Sequence, residues 1–300
     1  MTRTRFCQQA LLTKFTCSPV RVRYFGDQAG GEDMLLEHCK LTGEAGRFKG
    51  RIHQDWEIWG PNGGYLSAIA MNAVAQMTPF SQPVSFYAMY LGVGAFDEVD
   101  LSVTPVRVGR NTGVYTVEMV QNDRKLLQAQ VITANEQDGF EHQDSLPPFK
   151  ILPDELTETK RESTFRFWDN FECRFEDDLM ASGEPSGKSE WGCWYRFLDC
   201  QPENHFQDAM RSLVLIDTLP WPANFMRYGR EGLKYMAPSL DLYVQFHRFA
   251  TEQDWLFGHA TCEEGAMGFL GGKGATWDES GRLLASGGSQ LMCRPMPDQS

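Results

Sequence analysis

The sequence lacks closely spaced cysteine pairs and any apolar run long enough to cross a membrane. Its eight cysteines form no Cys-x-x-Cys pair, which is typical of reduced thiols in an intracellular protein rather than of a disulfide framework or a zinc site. The longest apolar run, Tyr65 to Ala75, has about half the length of a membrane-spanning helix. The six histidines never stand at metal-ligand spacing. We therefore expect no membrane span, no metal and no other cofactor.

Basic charge is also scarce. The formal net charge is −12 and the isoelectric point is near 5.0, so nucleic acid and anionic membranes are poor partners. The first 26 residues are the exception, because they have no acid before Asp27 and carry five basic residues, Arg3, Arg5, Lys14, Arg21 and Arg23. Such a leader is typical of a mitochondrial transit peptide; a disordered extension or a misplaced start codon is the alternative. We expect residues 1–32 to lie outside the fold of a cytoplasmic, or else mitochondrial, protein.

Residues 33–134 have the pattern of one helix followed by four strands. The Ala-, Leu- and Met-rich run from Tyr65 to Met77 follows a glycine turn and stops before Pro79, which predicts a buried helix. Alternating, β-branched and aromatic residues then predict strands over Val84–Leu91, Val99–Val108, Val114–Val120 and Leu126–Thr133.

Residues 135–165 differ from the segments on either side. They carry three prolines and many acids but few aromatic residues, which is typical of a linker between two domains. Residues 166–300 then repeat the first pattern. A helix is predicted over Phe206–Leu219 and ends at Pro220 and Pro222, and strands follow over 240–249, 255–263, 266–277 and 282–294.

Specific phrases also recur between the halves. Pro83–Tyr87 matches Pro238–Leu242, and the Leu126-Leu127 pair matches Leu283-Leu284 at a nearly constant shift. A helix followed by an antiparallel meander, present twice, predicts an internal duplication. The expected fold class is α+β: a double hotdog, with two helix-wrapped antiparallel sheets fused in one chain.

Four phrases carry a resemblance to a known family. They are Trp56…Gly60-Pro-Asn-Gly-Gly-Tyr65, Val106-Arg-Val-Gly-Arg110, Ala237-Pro-Ser-Leu-Asp241 and Leu283-Leu-Ala-Ser…Gln290. In this order and spacing the chain resembles the acyl-CoA thioesterase II (TesB-like) family over Asp33 to Pro297. The resemblance implies two hotdog domains, an acyl-CoA substrate, and hydrolysis of its thioester to free acid and CoA.

The resemblance also implies a catalytic trio that orients a water molecule. The family's Asp falls on Asp217, its hydroxyl residue on Ser239 and its Gln on Gln290. Serine replaces threonine, and the stretch before Gln290 is about one residue longer than expected. In an apolar helix, desolvation would raise the pKa of Asp217 and make it a stronger base. Gly63 and Gly64, ahead of the first helix, would let the substrate carbonyl approach backbone N–H groups that bind the oxyanion.

Each of these residues also has a structural interpretation. Asp217 could be a satisfied buried acid, Ser239 a turn residue, Gln290 a solvent-facing strand residue, and Gly63-Gly64 only a tight turn. Arg107 and Arg110 are candidates for binding CoA phosphates, or else surface arginines.

Two glycine-containing segments resemble catalytic motifs without matching them, and two other functions are possible on the same fold. The segment Gly183–Ser189 has the wrong spacing for a phosphate loop, and Gly287–Leu291 lacks the second glycine of a nucleophile elbow. A hotdog hydratase or dehydratase, and a non-catalytic acyl-CoA binding protein on the same fold, are the alternatives to a thioesterase. Hotdogs pair through sheet edges, so a monomer or a homodimer of double hotdogs is expected.

Overall fold

The computed structural model describes residues 34–159, 165–176 and 184–296, and the leader predicted at 1–32 lies outside them. In the first half the elements are α1 (Met34–His38), β1 (Thr42–Glu44), β2 (Arg47–Arg51), α2 (Gly63–Ala75), β3 (Gln82–Tyr90), β4 (Glu98–Val108), β5 (Thr112–Gln121) and β6 (Arg124–Ala134).

The second half has the same plan with additional short elements. It contains β7 (Phe171–Arg174), β8 (Glu190–Phe197), α3 (His205–Thr218), α4 (Pro220–Gly232), β9 (Tyr235–Met236), β10 (Asp241–Phe246), β11 (Trp255–Ala266), β12 (Phe269–Trp277), β13 (Leu283–Met292) and β14 (Arg294–Pro295). Among the described residues, 3-10 turns lie at Gln54–Trp56 in the first half, and at Pro153–Glu155 and Arg166–Asn170 further along the chain.

Twelve strands form one antiparallel sheet in the order β1-β2-β4-β5-β6-β3-β10-β13-β12-β11-β8-β7. The two halves join where β3 pairs with β10, and Tyr87 lies opposite Tyr243 in that register. α2 packs on the strands of the first half, α3 on those of the second, and the two helices contact each other. This is the double-hotdog architecture, so the predicted fold class is confirmed. The boundaries proposed for the two domains stay a prediction.

The first turn of α2 begins earlier than predicted. Gly63 and Gly64 are helical, and the side chain of Asn62 caps the helix by accepting a hydrogen bond from the Tyr65 N–H at 2.8 Å. This is the usual role of asparagine at a helix N-terminus. A Cβ on Gly64 would lie 2.7 Å from the Cα of Val214. Glycine is therefore needed there, because α3 lies against the backbone of α2.

The second helix ends where the sequence predicts, but a helix that was not predicted follows it. α3 ends at Thr218, and Pro220 and Pro222 start the next helix, α4. Proline is well tolerated in the first helical turn, where its missing N–H would have no intrahelical acceptor. The helix α1 and the strands β1, β2, β7, β8 and β9 were not predicted either.

Residues 135–152 have no helix or strand, yet they pack on the second half of the sheet. The Gln143 amide donates to the carbonyl of Gly281 and accepts from the N–H of Leu283, each at 2.9 Å. The Phe149 ring lies 4.6 Å from that of Trp194, centroid to centroid. This segment is therefore part of the packed structure and covers a cluster of aromatic residues on β8, β11 and β12.

Candidate active site

Asp217 lies where the two halves meet. It is near the end of α3, it is 5% exposed, and its carboxylate faces the first turn of α2. Its Oδ2 accepts a hydrogen bond from the Gly64 N–H at 2.7 Å. The amide of Asn62 donates to Thr218 Oγ1 at 2.9 Å, so the cap of α2 also holds the end of α3. The positive end of α2 thus lies directly against the carboxylate.

Two side chains complete the surroundings of this carboxylate. The Tyr90 hydroxyl at the end of β3 donates to Asp217 Oδ1 at 3.3 Å and lies 2.9 Å from Ser67 Oγ of α2. The Ser239 side chain is also hydrogen-bonded to Asp217. Among the described residues no Lys or Arg forms an ion pair with Asp217. Neutral donors alone therefore stabilise the negative charge.

These surroundings change the protonation of Asp217. Burial raises the pKa of its carboxyl from 3.8 to about 6, and the hydrogen bonds from Ser239, Gly64 and Tyr90 limit that rise. A carboxylate with a pKa close to neutrality is a better proton acceptor than an exposed one and is still ionised at pH 7.

Asp217 and Ser239 border a cavity of about 170 Å³. Its wall is mainly apolar and aromatic and contains Trp59, Phe165, Trp168 and Trp221. The ring of Trp59 meets that of Trp221 edge to face at 5.3 Å. An apolar cavity with a few convergent polar groups is typical of a small-molecule site.

The two glycines occupy different positions in this site. Gly64 gives its N–H to Asp217, so in this arrangement it positions the carboxylate. Gly63 lines the cavity, and its N–H has no hydrogen-bond partner among the described residues. Gly63 thus offers a free donor at the N-terminus of a helix, which is the kind of group that an oxyanion needs. The oxyanion role of either glycine stays a prediction.

The structure does not bring Gln290 to Asp217. Gln290 lies opposite Gly271 on β12, whereas Ser289 lies opposite Gly272, and Gly272 faces Pro220 at the start of α4. Side chains alternate along a strand, so Ser289 points toward the helices and Gln290 points outward. The Gln290 amide donates to the Leu270 carbonyl at 3.2 Å. This corrects the predicted trio: strand register separates its third member from the other two.

Arg107 and Arg110 are exposed and lie far from the cavity. The β4–β5 hairpin that carries them pairs, through β5 and β6, with the Pro83 end of β3. Tyr90 is at the other end of that strand, about 23 Å away at 3.3 Å per residue. Contact of these arginines with CoA stays a prediction.

One cluster was missed because it joins His38 to two residues, His53 and Asp55, that follow about 15 positions later in the chain. His38, His53 and Asp55 bring their ligand atoms within 4.8 Å of one another, and the two imidazole rings stack at 3.7 Å. His38 Nδ1 accepts a hydrogen bond from the indole N–H of buried Trp56 at 3.1 Å. While that bond exists, a neutral His38 carries its proton on Nε2 and has no lone pair for a cation.

Tyr90, Ser67 and Asn62 were also missed. An asparagine directly before the helix is a capping signal that could have pointed to Asn62. No local pattern marks Tyr90, because its partner Asp217 is 127 positions away.

The fold and this site define a double-hotdog protein with a buried carboxylate at the junction of its halves. Residues 52–134 match the family model of the acyl-CoA thioesterase N-terminal domain, and residues 145–292 match that of the C-terminal domain. The chain belongs to the acyl-CoA thioesterase family. No helix among the described residues is long and apolar enough to cross a membrane.

Solved structures share this fold at low sequence identity. The tesB protein of Mycobacterium avium subs paratuberculosis is 20% identical and has a TM-score of 0.73; the match covers 87% of this chain and 98% of that chain. Acyl-CoA thioesterase II TesB2 of Mycobacterium marinum is 19% identical over 89% and 99% of the two chains, with a TM-score of 0.71. A hot dog fold protein of unknown function from Alicyclobacillus acidocaldarius is 16% identical over 88% and 99%, with a TM-score of 0.76.

Proposed function

We propose that this protein hydrolyses acyl-CoA thioesters and that Asp217 is the general base. The observation that supports this most directly is a buried carboxylate with a pKa of about 6 at the edge of an apolar cavity. An acid with only a structural role would not stabilise the fold at such a position, because burial disfavours its ionised form. Ser239 lines the same cavity, and its side chain is hydrogen-bonded to the same carboxylate.

In the proposed reaction a water molecule between Asp217 and Ser239 attacks the thioester carbon. Asp217 takes one proton from that water as the new C–O bond forms. The carbonyl oxygen becomes an oxyanion, for which the free N–H of Gly63 is the proposed donor. The tetrahedral intermediate then breaks its C–S bond, and the CoA thiolate recovers the proton from Asp217. The products are a free acid and CoA.

The two alternatives differ from this proposal in the groups that they need. A hydratase or dehydratase was expected to use a histidine with a carboxylate, and the described residues that line the cavity include no histidine. A binding protein without catalysis needs the apolar wall but has no use for a base. A measurement of thioester hydrolysis can therefore distinguish a thioesterase from a binding protein.

The test is release of free thiol from acyl-CoAs of short to long chain. Asp217→Asn should lower kcat by about a hundredfold or more, the scale of a lost general base. Asp100→Asn is a matched control on the surface, since Asp100 is exposed and pairs with Lys49; it should leave kcat unchanged. Full activity of Asp217→Asn would show that another residue is the general base. Binding without hydrolysis of any acyl-CoA would favour the binding protein.

A further inference from the structure

The direction of one hydrogen-bond chain can be assigned from the chemistry of its groups. An ionised carboxylate only accepts hydrogen bonds, so Tyr90 must donate its single hydroxyl proton to Asp217. The Ser67 hydroxyl, 2.9 Å from the Tyr90 oxygen, must then be the donor to Tyr90. The chain therefore runs from Ser67 through Tyr90 to Asp217.

The packing leaves Tyr90 little freedom to move away from this chain. A Cβ on Gly63 would lie 2.8 Å from Tyr90 Cζ and 3.0 Å from Asp217 Oδ2. The glycine thus makes room for the phenol and the carboxylate side by side. Ser67 is fully buried on the next turn of α2 and fixes the phenol from the other side.

We propose that Tyr90 is a positioning residue for the reaction: its hydroxyl, oriented by Ser67, holds Oδ1 of Asp217 and keeps the carboxylate ionised and directed at the attacking water. This inference rests on the proposed thioesterase activity and takes over the place that the sequence assigned to Gln290. Each carboxylate oxygen then has its own donor, Gly64 for Oδ2 and Tyr90 for Oδ1.

Tyr90 itself stays protonated, as a donor must. Desolvation and the neighbouring charge of Asp217 raise the pKa of its phenol well above the ordinary value, and Asp241 adds to this effect. The groups that act on Asp217 are the donors from β3, from α2 and from Ser239. Loss of one donor to the charged form raises a carboxyl pKa.

The experiment compares the pH profiles of kcat/KM for wild type and Tyr90→Phe. Phenylalanine keeps the ring and removes only the donor, so the acidic limb should move upward by about one pH unit. KM should change less than kcat, since phenylalanine keeps the ring that residue 90 contributes to the cavity wall. Ser67→Ala should move the limb in the same direction by a smaller amount, because Tyr90 keeps its proton and loses only its orientation.

Tyr87→Phe is the matched control, because Tyr87 lies on the same strand with an exposed side chain. Its profile should coincide with that of wild type. An unmoved limb in Tyr90→Phe, or an equal shift in Tyr87→Phe, would overturn the proposal. Failure of the thioesterase assignment looks different: wild type would then hydrolyse no acyl-CoA, or Asp217→Asn would keep the wild-type rate.

Discussion

Replacing Asp217 by asparagine should make the folded protein more stable at neutral pH while removing its activity. Folding raises the pKa of Asp217 from 3.8 to about 6, so the folded state holds the proton more tightly than the unfolded chain does. Ionising Asp217 therefore lowers the free energy of unfolding. This loss of stability is absent below about pH 4, grows as the pH rises, and is complete above about pH 6. At about 1.4 kcal/mol per pH unit, the full cost is about 3 kcal/mol.

Asparagine is neutral at every pH, and its oxygen can accept the Gly64 N–H. Its NH2 group then takes the place of Oδ1, so the Tyr90 hydroxyl accepts from that group and donates its own proton to Ser67 instead. Asp217→Asn should therefore regain most of this cost at pH 8 and little at pH 4. For a chain of this size, about 3 kcal/mol corresponds to a rise in Tm of about 6 °C. Thermal unfolding of both proteins at pH 4, 6 and 8, followed by differential scanning calorimetry, measures the difference.

Asp208→Asn provides a contrast on the same helix. Asp208 is as buried as Asp217 but pairs with buried Arg211 and accepts the N–H of Ala250 at 2.7 Å. Its loss leaves an uncompensated cation and should cost about 3 kcal/mol or more. A difference in Tm between Asp217→Asn and wild type that does not depend on pH, or that is negative at pH 8, would refute the reasoning.

Three further predictions follow from the same site. kcat/KM should fall as the pH drops through about 6, where Asp217 takes up its proton, and a limb that stays near pH 4 would exclude this carboxylate as the base. Gly64→Ala should lower both kcat and Tm, because its Cβ would press on the backbone of Val214 at 2.7 Å; wild-type values for both would contradict the close helix contact. Asn62→Ala removes the cap of α2 and its bond to Thr218 and should cost about 1–2 kcal/mol in chemical denaturation, whereas an unchanged midpoint would show that the cap adds nothing.

Local sequence was sufficient for much of the fold. Buried helices and alternating strands leave their periods in the sequence, and the repeat of both at a nearly constant shift predicted the duplication. Asp217 was recognisable because a carboxylate within Leu213–Leu219 contradicts the apolar pattern around it. A buried charge of this kind needs donors, and such a need points to a site.

The donors themselves could be found only in the tertiary structure. Tyr90 and Gly64 are 127 and 153 positions from Asp217, and the pairing of β3 with β10 brings them together. The register of β13 decided that Ser289 points inward and Gln290 outward, since a shift by one residue exchanges the two faces of a strand. The order of residues along the chain carries the periods of helices and strands, whereas the side chains that share a site depend on how the two halves are joined.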